Sequence, residues 1–200
     1  MALACVSLGL AAVNGEPRTP DGLVRTVTGD MLSALRTDRE AIVDDPERLV
    51  SLMRQIIVPH FDTRIMARAA LGKYWRRASA DQRNRFAAAF RQLLIDNYAA
   101  VFRKYSNQSV DVLPVQLLPR QDAVVVPTYV ITPGERRIRV DYHLHRDGGG
   151  WRIHDVSIDG ISLLLNYRNS FLEELRHESL DELIAGMNHK NAAFRQRVHE

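Results

Sequence analysis

One carboxylate in the chain has the setting of a general acid or base. Asp155 follows Trp151 and Ile153 in a segment that alternates apolar and polar residues, as a half-buried strand does. On strict alternation its side chain points inward, beside Ile153 and Tyr142. A carboxyl group in an apolar pocket next to a tyrosine can transfer protons. One hypothesis is therefore an isomerase or hydratase that uses Asp155 and Tyr142. The alternative is that Asp155 lies in a β-bulge and binds backbone amides or an arginine.

Histidines form a second group with chemical potential. His143 and His145 lie two apart on one predicted strand, and His154 lies on the next, close to Asp141. Two or three histidines with a carboxylate can bind zinc. The same predicted face also carries the arginines Arg137, Arg139 and Arg152, which repel a cation. We therefore predict a solvated outer sheet face and no metal site. Zinc-protease, paired-cysteine, nucleophile-elbow and phosphate-loop motifs are absent from the sequence.

The elements that must position these residues change type near residue 106. Before it, apolar residues recur at helical spacing over about 20–37, from Asp45-Pro46 to Pro59, from Asp62 to Gly72, and over 80–105. The last of these opens with a capping box at Ser79 and Gln82. After residue 106 the period becomes two, which predicts strands at 108–117, 122–131, 136–145 and 151–158. Helices follow at about 161–176 and 179–195.

This order predicts an α+β fold. Short connections between the strands favour a curled, four-stranded antiparallel sheet packed against the N-terminal and C-terminal helices. Three apolar surfaces must be buried, and we expect them to share one interior. They are the apolar stripe of the 80–105 helix, the inner sheet face and the run from Ile161 to Phe171. A sheet that curls against a long helix can leave an apolar ligand cavity there instead of a filled core.

The last hairpin has a favoured register. A four-residue loop from Arg146 to Gly149 pairs Leu144 with Trp151 and Tyr142 with Ile153, all facing inward. The apolar residues before His154, Trp151 and Ile153, have odd numbers, and those after it, Val156 and Ile158, have even numbers. This change predicts a β-bulge near His154-Asp155 or a strand that is covered on both faces. Asp159-Gly160 predicts a turn.

Charge is concentrated in one segment. The 200 residues carry a net charge of only +3, yet residues 62–105 hold ten Lys or Arg against three Asp. That segment lacks a nucleic-acid motif, and its aromatic residues lie on the apolar stripe, so we predict no nucleic-acid partner. A solvated helix face is the simplest interpretation. Docking to anionic headgroups or to an acidic partner through Arg83, Arg85 and Arg91 is the alternative.

The first residues resemble an export signal. Residues 1–13 carry no charge, are mostly apolar and are too short to span a bilayer. We predict a truncated signal segment at 1–15, with a buried N-terminal segment as the alternative, and a single domain at 16–200. Cys5 is the only cysteine, so removal of that segment leaves a chain without a disulfide.

One long motif resembles a known family. Trp151, Ile153, Asp155-Val156, Gly160-Ile161-Ser162, Asn166-Tyr167-Arg168 and Phe171 resemble the signature of the MlaC family of periplasmic phospholipid-binding proteins, also called toluene-tolerance proteins. Phe61-Asp62, Leu71-Gly72 with Trp75, and the segment from Ser79 to Phe90 support it. The likeness spans about residues 20–190. His154 and Glu178-Ser179 depart from the pattern, outside the predicted cavity.

The resemblance implies a non-enzymatic role. It implies a periplasmic carrier that holds acyl chains in a pocket and leaves the headgroup outside. Its implied partners are phospholipid, an inner-membrane ABC transporter complex and an outer-membrane lipoprotein–porin complex, in a system that keeps outer-membrane lipid asymmetric. It implies no cofactor besides this cargo. The residues that we expect to line the pocket are Phe90, Leu94, Tyr98, Val101, Tyr129, Val140, Tyr142, Leu144, Trp151, Ile153, Leu164 and Tyr167.

Overall fold

The structure is a computed structural model, and it describes residues 19–105, 107–119 and 122–198. The predicted signal segment, with Cys5, lies outside these residues. The described chain forms eight α-helices and a six-stranded antiparallel sheet, which confirms the α+β class and corrects the number of strands from four to six.

Six helices precede the strands in the chain, and two helices follow them. They are α1 (Pro20–Thr37), α2 (Arg39–Asp44), α3 (Pro46–Leu52), α4 (Thr63–Leu71), α5 (Tyr74–Arg77), α6 (Ala80–Phe102), α7 (Leu163–Glu174) and α8 (Leu180–Val198). A π-helical turn, Met53–Ile57, and a 3₁₀ turn, Val58–His60, follow α3. The predicted helix from Asp45 to Pro59 therefore does not run through as one α-helix. Pro59 lacks the N–H that a continuing helix needs.

Side-chain caps fix where the main helices begin. Thr19, Asp45 and Asp62 accept hydrogen bonds from the first turns of α1, α3 and α4. At α6 the predicted capping box is complete, because the Ser79 side chain accepts from the Gln82 N–H and the Gln82 side chain accepts from the Ser79 N–H.

The strands are β1 (Ser109–Val112), β2 (Gln116–Leu117), β3 (Ala123–Ile131), β4 (Arg137–Asp147), β5 (Gly150–Ile158) and β6 (Ile161–Ser162). In the sheet they lie in the order β1-β3-β4-β5-β6, and β2 also pairs with β3. The predicted strand 108–117 is two short strands, because the chain leaves the ladder around Pro114. The predicted turn at Asp159-Gly160 is confirmed, since both residues have positive φ.

The hairpin register that we predicted is wrong by two residues. Leu144 pairs with Ile153, and Asp147 pairs with Gly150, so the loop is the two residues Gly148 and Gly149. A register shift of two residues keeps each side chain on the same face of the sheet, so Leu144 and Ile153 still point into the core. The predicted bulge is confirmed. His143 pairs with Asp155 while Leu144 pairs with Ile153, which leaves His154 as the extra residue.

The buried apolar residues form three clusters instead of one continuous core. The helical cluster joins α4, α6, α7 and α8 around Phe86 and Phe90. The second cluster joins α1, α2, α3 and α6 around Leu49 and Ile95. The sheet cluster joins the N-terminal half of α1 to the inner face of the sheet around Leu144. Helix α1 therefore links the sheet to the helical layer.

Candidate functional site

Both carboxylate oxygens of Asp155 accept hydrogen bonds. Its Oδ1 accepts from the backbone N–H groups of Val156 at 2.8 Å and Leu164 at 3.2 Å, and its Oδ2 accepts from the Ser162 hydroxyl at 2.5 Å. The bulge at His154 reverses the alternation, so Asp155 lies opposite His143 and not beside Tyr142 on the inner face. Its role as a β-bulge anchor is confirmed, because it fixes the junction of β5, β6 and α7. The structure gives the isomerase or hydratase hypothesis no free carboxylate oxygen at this position.

The three histidines form a half-buried polar cluster instead of a solvated face. The Nδ1 atoms of His145 and His154 are 3.4 Å apart, and His145 Nε2 lies 3.3 Å from Asp62. Burial and the neighbouring His145 and His143 lower the pKa of His154, against the opposite effect of Asp155 and Asp62. Asp62 also caps α4 and donates its own N–H to Ile153 O at 2.8 Å. The cluster therefore holds α4 against the bulge.

No group of three or more histidine, cysteine or acidic side chains in the described ranges is arranged to hold a metal ion. Helices that are both long and apolar enough to cross a bilayer are also absent from these ranges.

The side chains between α6 and the inner face of the sheet differ in how far they are buried. In the described part of the chain, α6 packs closely against α8, α4, α3 and the π-helical turn, and no strand is among these close neighbours. Several side chains at the margins of the three clusters remain partly accessible although they point inward. They are Leu94 and Tyr98 of α6, Tyr142, Trp151 and Val156 of the sheet, and Tyr167 of α7. We call the region that they border the interior cleft.

Tyrosines mark where the three clusters meet at this cleft. Burial raises the pKa of Tyr98, and the nearby Tyr167 and Asp155 raise it further. Burial alone raises the pKa of Tyr142 to about 12, although the residue retains some accessible surface. Tyr98, Tyr142 and Tyr167 each pack against a different cluster.

The structure places the predicted pocket residues in three kinds of surroundings. Leu94, Tyr98, Tyr142, Trp151 and Tyr167 are partly accessible, whereas Phe90, Leu144, Ile153 and Leu164 are closed into the clusters. Val140 is buried in the sheet but belongs to none of the three clusters. Two predicted residues lie elsewhere. Val101 is 60% exposed near the end of α6. Tyr129 lies on the outer sheet face, beneath Arg137 and Arg139. Side chains alternate between the two faces along β3, so Tyr129 shares a face with Val125 and not with Val126.

The three predicted docking arginines have different surroundings. Arg85 pairs with Asp81 and Asp181, at 2.6 Å each. Arg83 donates to the carbonyl oxygens of Trp75 and Arg76 within α5. Arg91 is exposed and has no ion pair among the described residues. Of the three, Arg91 keeps its charge most available to another molecule.

Sequence reasoning did not single out Asn97 as a site residue. Its Nδ2 donates to the Tyr167 hydroxyl oxygen at 2.9 Å and so joins α6 to α7 at the edge of the cleft. The available signal was an amide within the apolar stripe of the long helix. The sequence also gave no sign that Asp62 contacts His145, because the two lie far apart in the chain.

Comparison with known proteins assigns the family. The family model described as MlaC protein matches residues 25–189, well over half of the chain. The chain belongs to the MlaC family. The Haemophilus influenzae intermembrane phospholipid transport system binding protein MlaC is 24% identical over 172 residues, covering 84% of this chain and 80% of that protein. The Pseudomonas putida toluene tolerance protein ttg2D is 25% identical over 173 residues, with the same coverage.

A solved structure has the same fold. It is a phospholipid-binding protein from Ralstonia solanacearum in complex with a phospholipid, 25% identical to this chain. The two superpose with a TM-score of 0.80, covering 88% of this chain and 98% of the other. The MlaC-family resemblance that the motif at residues 151–171 carries is thereby confirmed.

Proposed function

We propose that this MlaC-family protein is a periplasmic phospholipid carrier that holds acyl chains in the interior cleft. The observation that carries the proposal is the match in fold to a protein solved with a phospholipid bound. The partly accessible side chains Leu94, Tyr98, Tyr142 and Tyr167 are the surface that we expect the acyl chains to contact. The printed name of the Haemophilus relative, a phospholipid transport binding protein, supports the same role.

The energetics of such a carrier are nearly balanced. Burying about 30 methylenes of two acyl chains in the cleft contributes on the order of 24 kcal/mol at 0.8 kcal/mol per methylene. Withdrawing the same chains from a bilayer costs a similar amount. The net free energy of transfer is therefore small, and modest interactions with membrane complexes can set its direction. A carrier of this kind needs a closed, dry pocket and no covalent chemistry.

The same proposal gives the chain two docking partners. It receives or delivers lipid at an outer-membrane lipoprotein–porin complex and at an inner-membrane ABC transporter complex, and so maintains the lipid asymmetry of the outer membrane. Arg91 is the docking residue that we favour, since Arg83 and Arg85 are engaged within the protein. An exposed arginine suits an acidic surface on either complex.

Native mass spectrometry of the protein purified without detergent tests the carrier role. We expect a mass increment of one or more two-chain phospholipids, which organic extraction removes and added phospholipid vesicles restore. Arg91→Glu serves as the matched variant. It should keep the same lipid increment and lose co-purification with the membrane complexes, because its side chain points away from the cleft into solvent. A protein that is lipid-free as purified and takes up no phospholipid from vesicles contradicts the proposal.

A further inference from the structure

Three titratable side chains lie in a row between the bulge of β5 and the start of α4. His154 Nδ1 lies 3.4 Å from His145 Nδ1, and His145 Nε2 lies 3.3 Å from Asp62 Oδ2. The side chains of His145 and Asp62 are each only 17% exposed, and His154 is half-buried. Charges in this row are therefore less screened by water than charges on the open surface.

The row can take up one additional proton but not two. Asp62 accepts from the Nε2–H of His145, so neutral His145 presents a bare Nδ1, to which the Nδ1–H of His154 donates. A proton added to His145 Nδ1 reverses the direction of this contact, and the Asp62 carboxylate balances the charge. A second proton on His154 would set two N–H groups and two positive charges against each other, 3.4 Å apart.

The groups around His154 in the sheet do not offset that repulsion. The ring of His143 on β4 is another base, with its centroid 6.4 Å from that of His154. Asp155 is the adjacent acid, but its oxygens accept from the start of α7 and from Val156. Burial, His145 and His143 together lower the pKa of His154 against the opposite effect of Asp155 and Asp62.

The neighbouring elements do not supply a further acid to the row. On β3, the residues paired with His143 and His145 are the uncharged Val125 and Ala123. Asp141, two residues before His143 on β4, pairs with Arg139 at 2.5 Å.

Two more basic groups belong to the same junction. The 3₁₀ turn, which packs against β5, carries His60. Arg152 pairs with His145 across the hairpin and donates to the carbonyl oxygen of Pro59. Both groups are basic, so neither can neutralise a second imidazolium.

The same Asp62 attaches α4 to the sheet. Its Oδ1 accepts from the Ile65 N–H at 2.8 Å and caps α4, while its own N–H donates to Ile153 O at 2.8 Å. Phe61, the residue before it, packs against both the helical cluster and the sheet cluster. Repulsion within the row therefore acts at the place where α4 and Phe61 join the helical layer to the sheet.

We propose that Asp62, His145 and His154 form a proton-sensitive latch, which holds the start of α4 on the sheet at neutral pH and releases it when both imidazoles are protonated. The latch itself does not depend on the proposed carrier function. A second step rests on that function: release of Phe61 from between the two clusters loosens the proposed lipid site, so lipid leaves faster in acid.

Amide hydrogen exchange of the unaltered protein tests the latch without lipid. The readout is the ratio of two protection factors in one sample, each corrected for the intrinsic exchange rate at that pH. The probe is the Asp62 N–H, and the control is the Gln82 N–H, which also lies at a helix start but donates to Ser79 Oγ. The opened latch takes up one more proton, with an ordinary histidine pKa of about 6.5. The ratio should therefore fall about tenfold from about pH 7.5 to about pH 5.5.

One variant and one control assign the effect to the row. His154→Asn keeps an N–H donor near the Nδ1 position and cannot be protonated, so its ratio should change by less than about twofold over the same range. His189→Asn, at an exposed position of α8, should keep the full tenfold fall. A constant ratio in the unaltered protein, or a fall that persists in His154→Asn, overturns the latch.

An NMR titration of the imidazoles gives a second measurement that needs no variant. The ring of His154 should remain neutral at about pH 6, below the ordinary pKa of about 6.5, because the closed row rejects the second proton. A His154 ring that titrates at or above its ordinary pKa contradicts the latch, whatever the variants do.

A lipid-transfer measurement separates the latch from the carrier function. Protein loaded with a fluorescent phosphatidylcholine is mixed with unlabelled phosphatidylcholine vesicles at the two pH values. We expect release to be about tenfold faster at the lower pH, and no acceleration in His154→Asn. A fall in the exchange ratio without faster release overturns the second step and leaves the latch standing. A protein that takes up no labelled lipid contradicts the carrier function, while the exchange experiment still decides the latch.

Discussion

At the scale of single residues, Asp155 shows how a chemically suggestive side chain can be structural. A carboxylate with free oxygens can accept a proton from a substrate, but Asp155 uses its oxygens on Val156, Leu164 and Ser162. Hydrogen bonds to a charged acceptor are stronger than neutral ones. They tie the end of β5 to the first turn of α7, which in turn positions Tyr167 at the cleft.

Replacement of Asp155 tests this role. Asp155→Asn keeps the size of the side chain but loses the charge and one acceptor oxygen, so we expect about 2 kcal/mol less free energy of unfolding in urea. Asp111→Asn is the matched control, because Asp111 is exposed and lies 3.7 Å from Arg137. That change should stay within about 0.5 kcal/mol. Unchanged stability of Asp155→Asn would show that Asp155 is not an anchor.

At the scale of elements, the end of α4 depends on one glycine. Gly72 ends α4 with φ of 57°, in the region that disfavours other residues. A Cβ built at this position would lie 3.0 Å from the Nε atom of Arg168. The backbone conformation therefore requires glycine, whereas a methyl group here would need the exposed Arg168 side chain to move by only a small distance.

Two alanine substitutions should have opposite effects on stability. Gly72→Ala forces a side chain into a strained conformation and against Arg168, so the free energy of unfolding should fall by about 1–3 kcal/mol. Gly186→Ala lies within α8 with open space around the new methyl group, and it should raise stability by about 0.5–1 kcal/mol. Thermal and urea unfolding measure both. The same sign for the two changes would contradict the role of Gly72.

At the scale of the whole molecule, the buried apolar residues form three clusters, and the proposed lipid site lies where they meet. Helix α6 contributes to two of the clusters, and its Leu94 and Tyr98 are partly accessible. On the proposed carrier function, acyl chains in the cleft make van der Waals contacts with these side chains.

Filling the cleft should displace lipid without unfolding the protein. Leu94→Trp adds volume at a partly accessible position, so we expect a lower lipid content in native mass spectra at a nearly unchanged melting temperature. Leu183→Trp is the matched control in the helical cluster, where Leu183 is 1% exposed and no space is available. That substitution should lower stability by about 1–3 kcal/mol. Equal destabilisation by both would mean that no cleft lies beside Leu94.

Much of the fold was predictable because its signals are local. Helical spacing, the capping box at Ser79 and the turn at Asp159-Gly160 depend on neighbouring residues, and α1 begins and ends as predicted. The bulge was predictable as well, since a change of parity after His154 leaves few other solutions. The two-residue error in the hairpin register has a physical reason. A shift of two keeps every side chain on its face, so the hydrophobic pattern cannot distinguish the two pairings.

The sequence by itself determined the α+β class, the inner face of the sheet and, through one long motif, the family. Only the tertiary structure decided which inward residues close into a core and which border the cleft, because that depends on how far α6 stands from the sheet. It also decided the roles of Asp155, Asn97 and Tyr129. A hydrogen bond such as Asn97 to Tyr167 joins residues 70 positions apart. No local pattern records such a contact, since it exists only once the clusters have packed.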